Sequence, residues 1–434
     1  MEKKTQPVKG MHDILSEDFF KIKYVESLFI ETAERYGFLH IKTPILESAE
    51  IYQNTSEIPE EKCYSFTDVK GRKMIIRSDP DAQLVRFVAN NLMYAPKPIK
   101  LAFCGSVFRS QNIHRREFSM FSINTFGISE LTADAEIIRV ITDVIERVGF
   151  PGYRIGFNNL KLFHDIICVE DMKLRGEGEI SQILYKIRFA DDEKMIAKTL
   201  ESYQLSRNII NAVSALIKCK DNEQMAYREL AKLGHMFPSL IPEIDKTLSF
   251  KTVLVDYGLG NIYLDVSNLH GTGFYSGLTF RIFPKDGSKE IGDGGRYDHM
   301  MEQVQGSPLS ATGIGLGIER FIDLMEINGC SIKFPDKAKH ILVSFSHSQL
   351  AISCRPVLKK IRETGKIVEE DLVNRDIDKV LRYARAKKCN QIIMVSTSDS
   401  QEYMHIKVIN LDNGQAESFE AHLLEELHSI LLKC

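Results

Sequence analysis

The chain has 434 residues, 44% of them hydrophobic, which is enough apolar material for a large core and, by length, for two or three domains. A formal net charge of −3 gives no global positive field of the kind that advertises a nucleic-acid-binding protein, although a local patch remains compatible with it. No apolar run reaches the roughly 18 residues of a membrane span, and the opening MEKKTQPVKGMHD has no signal-peptide core, so no membrane association and a cytoplasmic location are expected.

From residue 18 the segment FFKIKYVESLFIETAERYGF carries its apolar residues at helical spacing and reaches Gly37 where a helix should end. The following FLHIKTPILES is rich in β-branched residues, and Pro44 withholds a ladder hydrogen bond, which predicts a strand edge or an interface strand. MIIRSDP, KPIKLAFCGSVFRS, EFSMFSINTFGI and GYRIGFNN read as further strands separated by helical or loop material, together a mainly antiparallel sheet. Between about 175 and 250 the periodicity turns helical with little strand signal, which predicts a helical insertion. Strand-like sequence resumes in NIYLDVS and FYSGLTFRIF, passes the glycine-rich IGDGGRYD, and ends in SATGIGLGIERFIDLM, a glycine-punctuated strand feeding a helix. An α+β domain is thus expected over 1–328. A second domain is expected over 338–434, where strands HILVSFS, QIIMVST and MHIKVINL alternate with helices QLAISCRPVLKKIRETG and DKVLRYARAKKC in an α/β pattern.

Two segments suit phosphate chemistry. SVFRSQNIHRREFSMF places Arg109 at a strand end, where a guanidinium can neutralise a phosphate with two parallel hydrogen bonds. In GIGLGIER, closely spaced glycines let the backbone approach a nucleotide, and Arg320 falls on the first turn of a helix. Each has a plain alternative, a solvated arginine-rich turn and tight strand-on-helix packing. His114 reads as a solvated loop residue, Glu369, Glu370 and Asp371 as surface charge at a strand end, and the basic residues of VNRDIDKVLRYARAKK as a solvated helix face. The eight cysteines form no CxxC pair and no His/Cys cluster along the chain, so reduced thiols and no metal site are expected.

The order of these segments resembles the histidyl-tRNA synthetase family over nearly the whole chain. GMHDIL (10–15) is similar to the family's opening segment, and YGFLHIKTPILE (36–47) to the class II dimer-interface motif ending on Pro44. FRSQ (108–111) with REF (116–118) resembles the second motif, GGRYD (294–298) the glycine-rich segment and GIGLGIER (313–320) the third motif. The resemblance implies a class II aminoacyl-tRNA synthetase-like antiparallel sheet flanked by helices, a carboxy-terminal anticodon-binding-like domain and a homodimer. It also implies nucleotide binding at Arg109, Gln111 and Arg320, and an amino-acid pocket at Asp79, Asp81, Met120, Asn124 and Tyr275.

Several positions depart from the family pattern. Where synthetases hold the substrate amino group with Arg-Pro-Glu-x-Thr, this chain has RSDPDA, with Asp79 at the carboxylate position and Asp81 in place of the threonine. Met120 and Asn124 stand where a glutamine and an acidic residue meet the imidazole, and Gln111 where a glutamate meets adenine. His270 aligns with an arginine that neutralises the carboxylate and α-phosphate as the adenylate forms. Loss of polar partners lowers discrimination by about 1–3 kcal/mol for each unpaired group, and an imidazole in place of a permanent cation weakens transition-state electrostatics.

RSD (77–79) and FYSGLTFR (274–281) are similar to a paralogue group, the regulatory subunit of ATP phosphoribosyltransferase. That reading implies histidine biosynthesis, a short catalytic phosphoribosyltransferase partner, histidine as effector, no required cofactor, and vestigial Arg109, His270 and Arg320. The alternatives are a divergent histidyl-tRNA synthetase, which needs ATP, magnesium and tRNA, and a ligase repurposed to adenylate another small acid.

Overall fold

The computed structural model describes residues 5–55, 58, 60–110, 115–169, 177–190, 192–330, 339–397 and 403–433. Gln111 and His114 therefore lie outside the described residues. Contacts divide the chain into two compact units, Met1–Lys333 and Phe334–Cys434.

The strands of the first unit are β1 (Leu39–Ile41), β2 (Leu46–Ser48), β3 (Tyr64–Thr67), β4 (Lys73–Ile76), β5 (Ile99–Phe108), β6 (Glu117–Phe126), β7 (Tyr153–Asn159), β8 (Ile262–Leu264), β9 (Leu278–Pro284), β10 (Gly292–Arg296) and β11 (Ala311–Gly317). Eight of them form one sheet in the order β1-β5-β6-β11-β10-β9-β7-β8, and β2-β4-β3 form a small separate sheet. Pairing in the large sheet is antiparallel except at its two ends, where β1 joins β5 and β8 joins β7 in parallel. Pro44 falls where the chain leaves one sheet for the other. Its carbonyl accepts from Gln83 Nε2 at 2.7 Å, and the Thr43 carbonyl from Arg77 Nη1 at 3.1 Å, so side chains replace the missing ladder.

The first helix, Ser16–Arg35, ends as its sequence requires: Gly37 takes φ +81°, and the Phe38 amide reaches back to the Ala33 carbonyl at 3.1 Å. Its apolar face, with Val25 and Phe29, packs with Phe121 and Ile123 of β6, the helix Leu131–Arg147 and the helix Ile318–Ile327. The alternation of strand side chains sends Leu101, Phe103 and Phe126 into a second cluster with Leu84, Val88 and Tyr297. The helical insertion lies between β7 and β8 and runs from the helix Glu177–Arg188 to the helix Ile241–Asp256, burying Ile183, Leu200, Val213 and Leu230 in the main core.

One charged pair sits deep within this framework. Arg296, at the end of β10, is 2% exposed, and its Nη2 lies 2.7 Å from Oδ2 of the fully buried Asp134. The guanidinium also donates to the carbonyls of Ile128 at 3.1 Å and Glu130 at 2.7 Å, while Thr312 on β11 donates to Asp134 Oδ1 at 2.6 Å. Burial pushes the Asp134 carboxyl upward, against the pull of Arg296 and Thr312.

The second unit is a sheet of β12 (His340–Phe345), β13 (Ile367–Glu370), β14 (Gln391–Thr397), β15 (Met404–Asn410) and β16 (Ala416–Ala421) in the order β13-β12-β14-β15-β16. Its helices are Ser348–Glu363, Ile377–Ala386 and Leu424–Lys433. No helix among the described residues is long and apolar enough to cross a membrane.

Because the pair's hydrogen bonds are all satisfied, removing one member alone is the damaging change. Arg296→Ala is expected to destabilise the first unit by about 3–5 kcal/mol in urea unfolding, and the Arg296→Met, Asp134→Leu double variant to cost far less.

Candidate functional site

A cavity of about 400 Å³ opens over the glycine-rich strands β10 and β11. Seven of the residues singled out from the sequence line it: Asp79, Asp81, Arg109, Met120, His270, Tyr275 and Arg320. Residues separated by up to 241 positions in the chain are thus brought to one enclosure.

Asp79 and Asp81 enter at the start of the helix Asp81–Asn91. Asp79 is 7% exposed, takes Ser78 Oγ at 3.2 Å on one carboxylate oxygen and the Asp81 amide at 3.2 Å on the other, and its carbonyl accepts from Tyr52 at 2.8 Å. Arg109, just beyond β5, donates from Nε to the Ser78 carbonyl at 3.0 Å and lies over the Phe118 ring at 5.3 Å. One guanidinium edge is thereby fixed to the segment that carries Asp79. Arg320, on the first turn of the helix Ile318–Ile327, donates to Glu290 at 3.2 Å, and Glu290 is shared with Arg281 through its other oxygen.

The floor exists because β10 and β11 lack side chains where they face their neighbours. A Cβ on Gly315 would stand 2.5 Å from Met120 Cε, and a Cβ on Gly313 would fall on Asn124 Oδ1. Here the structure corrects one expectation. Asn124 is fully buried and does not line the cavity, because β6 turns it toward β11 and under Tyr297. Its amide donates to Ser122 Oγ at 2.9 Å and its oxygen accepts from the Tyr297 hydroxyl. Asn124 therefore acts from below the floor, by holding a ring that does line it. Burial drives the Tyr297 phenol far above its usual range, so it stays a donor.

His270 occupies the most instructive position. Its Nε2 is 3.1 Å from Asp293 Oδ2, and its Nδ1 is 2.7 Å from Nη2 of Arg188. Burial acts to raise the Asp293 carboxyl, but the hydrogen bond from His270, with the positive charges of Arg281 and Arg109 nearby, outweighs it and holds the group below its usual value. Arg188 is the last residue of the helix Glu177–Arg188, so the insertion itself carries a permanent cation to the wall of the cavity, with Tyr185 and Phe189 beside it. Thr272, also on the wall, is 8% exposed, and its hydroxyl has no hydrogen-bond partner among the described residues.

Sequence reasoning missed Arg188, Glu290, Asp293 and Tyr297. The last two belong to IGDGGRYD, whose glycines were a visible signal. Arg188 lies 82 residues from His270 on an ordinary amphipathic helix, and nothing local marks it.

The family model described as histidyl-tRNA synthetase matches residues 10–321. A histidine–tRNA ligase of Sulfurisphaera tokodaii is 26% identical over 98% of this chain and 99% of its own length. One from Pyrococcus horikoshii is 27% identical over the same shares. Among solved structures, a histidyl-tRNA synthetase from a Nostoc species superposes with a TM-score of 0.74 at 18% identity, covering 99% of this chain and all of its own. A protein of Bacillus halodurans named ATP phosphoribosyltransferase regulatory subunit/histidyl-tRNA synthetase also gives a TM-score of 0.74 at 18% identity, covering 92% of this chain and all of its own. These two likenesses bear on the fold.

The support of the floor is directly testable. Tyr297→Phe leaves the buried Asn124 oxygen without that donor, and a loss of about 1–3 kcal/mol is expected in thermal or denaturant unfolding; an unchanged midpoint would show that the hydroxyl holds nothing in place.

Proposed function

Because the chain belongs to the histidyl-tRNA synthetase family, we propose that the cavity over β10 and β11 binds ATP with a small amino acid and joins them as an acyl-adenylate. A carboxylate oxygen attacks the α-phosphorus, an acyl–phosphate bond forms, and pyrophosphate leaves. The observation that carries this reading is Arg188 at 2.7 Å from His270, which returns to that corner of the site the cation that position 270 lacks.

The residues divide by chemistry. Asp79 and Asp81 suit a substrate ammonium group. Arg109, Arg188 and Arg320 suit the carboxylate and the phosphates, where opposed negative charges must be drawn together. Magnesium fits the same wall: Glu290 and Asp293 are oxygen donors facing the cavity, and a nucleotide-borne ion held by one or two carboxylates needs no more. When bound it would supply further neutralisation of the phosphates. Met120, Phe274, Tyr275 and Tyr297 present apolar and aromatic surface to the substrate side chain, and the Thr272 hydroxyl is left to pair with a ligand. Such a lining favours a side chain less polar than imidazole. Transfer of the acyl group to tRNA would make the chain a divergent synthetase, and release to another acceptor a repurposed ligase. The exposed Leu39, Ile45 and Leu46 around Pro44 support a homodimer through that edge.

A second reading is favoured by the altered residues 120 and 270 and by the name of the Bacillus halodurans neighbour. There the pocket takes histidine as an effector, and the chain regulates a short ATP phosphoribosyltransferase subunit. A ligand acts in this way only through unequal affinity for two conformations.

Pyrophosphate exchange into ATP, surveyed across amino acids with the full chain, separates the readings. Adenylation predicts exchange with at least one acid, and about a 100-fold loss in Arg188→Ala. Silence with every acid, together with co-purification of a short phosphoribosyltransferase chain, would replace adenylation by regulation.

A further inference from the structure

The second unit holds a side-chain cluster that the proposed activity leaves unused. His340 begins β12, Glu369 lies on the parallel neighbour β13, and Cys389 precedes Asn390 at the approach to β14. The register sets His340 beside Ile367 and Leu342 beside Glu369, so imidazole and carboxylate rise on the same face of the sheet. Imidazole, carboxylate and thiol each offer a ligand atom, and all three lie within 4.8 Å of one another; among the described residues this is the single such group.

The cluster is held from below. His340 and Asn390 are tied both ways, the His340 amide to Asn390 Oδ1 at 2.9 Å and the Asn390 amide to the His340 carbonyl at 2.8 Å. The Ile367 amide meets the Lys339 carbonyl at 3.0 Å. Cys389 is 5% exposed and fixed by its amide to the Ala384 carbonyl at 2.9 Å. The three ligand-bearing segments are thus cross-linked through the backbone, with no metal needed to assemble them.

We propose that His340, Glu369 and Cys389 form a binding site for a divalent transition metal ion, zinc above all, with solvent completing its coordination. Bonds of about 2.0–2.3 Å around a tetrahedral ion place donor atoms roughly 3–4 Å apart, and His340 Nε2 already stands 3.1 Å from Glu369 Oε2. A thiolate with an imidazole selects zinc or cobalt over magnesium or calcium. The Tyr383 hydroxyl donates to Oε1 of Glu369, which leaves Oε2 for the ion and braces the carboxylate from outside. On binding, the thiol gives its proton to solvent, the hydrogen that His340 Nε2 shares with Glu369 moves through solvent to Nδ1 so that Nε2 is free to ligate, and the His340–Glu369 hydrogen bond is exchanged for two metal bonds. The side chains of His340 and Glu369 are 20% and 29% exposed, which gives the ion a way in. The ion would join β12, β13 and the approach to β14, and so stabilise the second unit independently of the chemistry in the first.

The test uses the full-length protein, stripped with a chelator and titrated with cobalt(II). One ion per chain is expected, with a tetrahedral visible spectrum and a near-ultraviolet thiolate charge-transfer band that zinc abolishes. Cys389→Ser should lose that band, and Glu369→Gln should weaken binding by about tenfold or more. Zinc should raise the unfolding midpoint of the parent protein and not that of Cys389→Ser. Circular dichroism confirms that each variant is folded, and should Cys389→Ser fail to fold, Glu369→Gln alone decides the matter. An octahedral cobalt spectrum without a thiolate band, or the same band retained in folded Cys389→Ser, overturns the proposal.

Discussion

Asp134 and Arg296 form a charge pair almost without access to water, and the geometry of the cavity is set from that point. The pair fixes the end of β10, and through Thr312 it also fixes β11, so both strands of the floor are referred to one carboxylate on the helix Leu131–Arg147. Asp293 and Tyr297 flank the same stretch of β10, which places a cavity carboxylate and a cavity ring at known heights above the core. Such a pair adds little net stability over an apolar replacement, since desolvation opposes its attraction. Its contribution here is positional: five carbonyl, carboxylate and hydroxyl contacts leave the strand ends one arrangement.

The glycines of these strands do the complementary work. Gly313 and Gly315 admit Asn124 and Met120 from β6 into the space a Cβ would occupy, so the floor is made of side chains belonging to the neighbouring strand. This explains why Met120 and Asn124, four residues apart on one strand, have different fates. Met120 reaches the cavity surface. Asn124 is stopped beneath Tyr297.

Much of the first unit was legible from local pattern. The opening helix and its Gly37 stop, the strands carrying Arg109 and Met120, the helical insertion and the strand-to-helix passage at Arg320 all follow from periodicity and turn chemistry, because each is decided by residues within one element. Seven candidate residues meet in one cavity because they lie on motifs whose order implied a family fold. What escaped was decided by tertiary contact. β13 has only four residues, and the polar positions of Ala416–Ala421 hide the pairing of β16 with β15. The burial of Asn124 depends on a tyrosine 173 residues away, and the approach of Arg188 on a helix whose own sequence is unremarkable in pattern. Glu369 read as surface charge until the sheet set it beside His340 and Cys389.

The placement of Arg188 at the last position of its helix carries a mechanical corollary. A molecule that draws on this guanidinium draws on the helix Glu177–Arg188, and Ile183 and Leu184 of that helix are packed into the main core. Occupancy of the cavity and the seating of the insertion are then coupled quantities: whatever free energy a ligand gains from Arg188 must reappear, by reciprocity, as added resistance of the insertion to being lifted away.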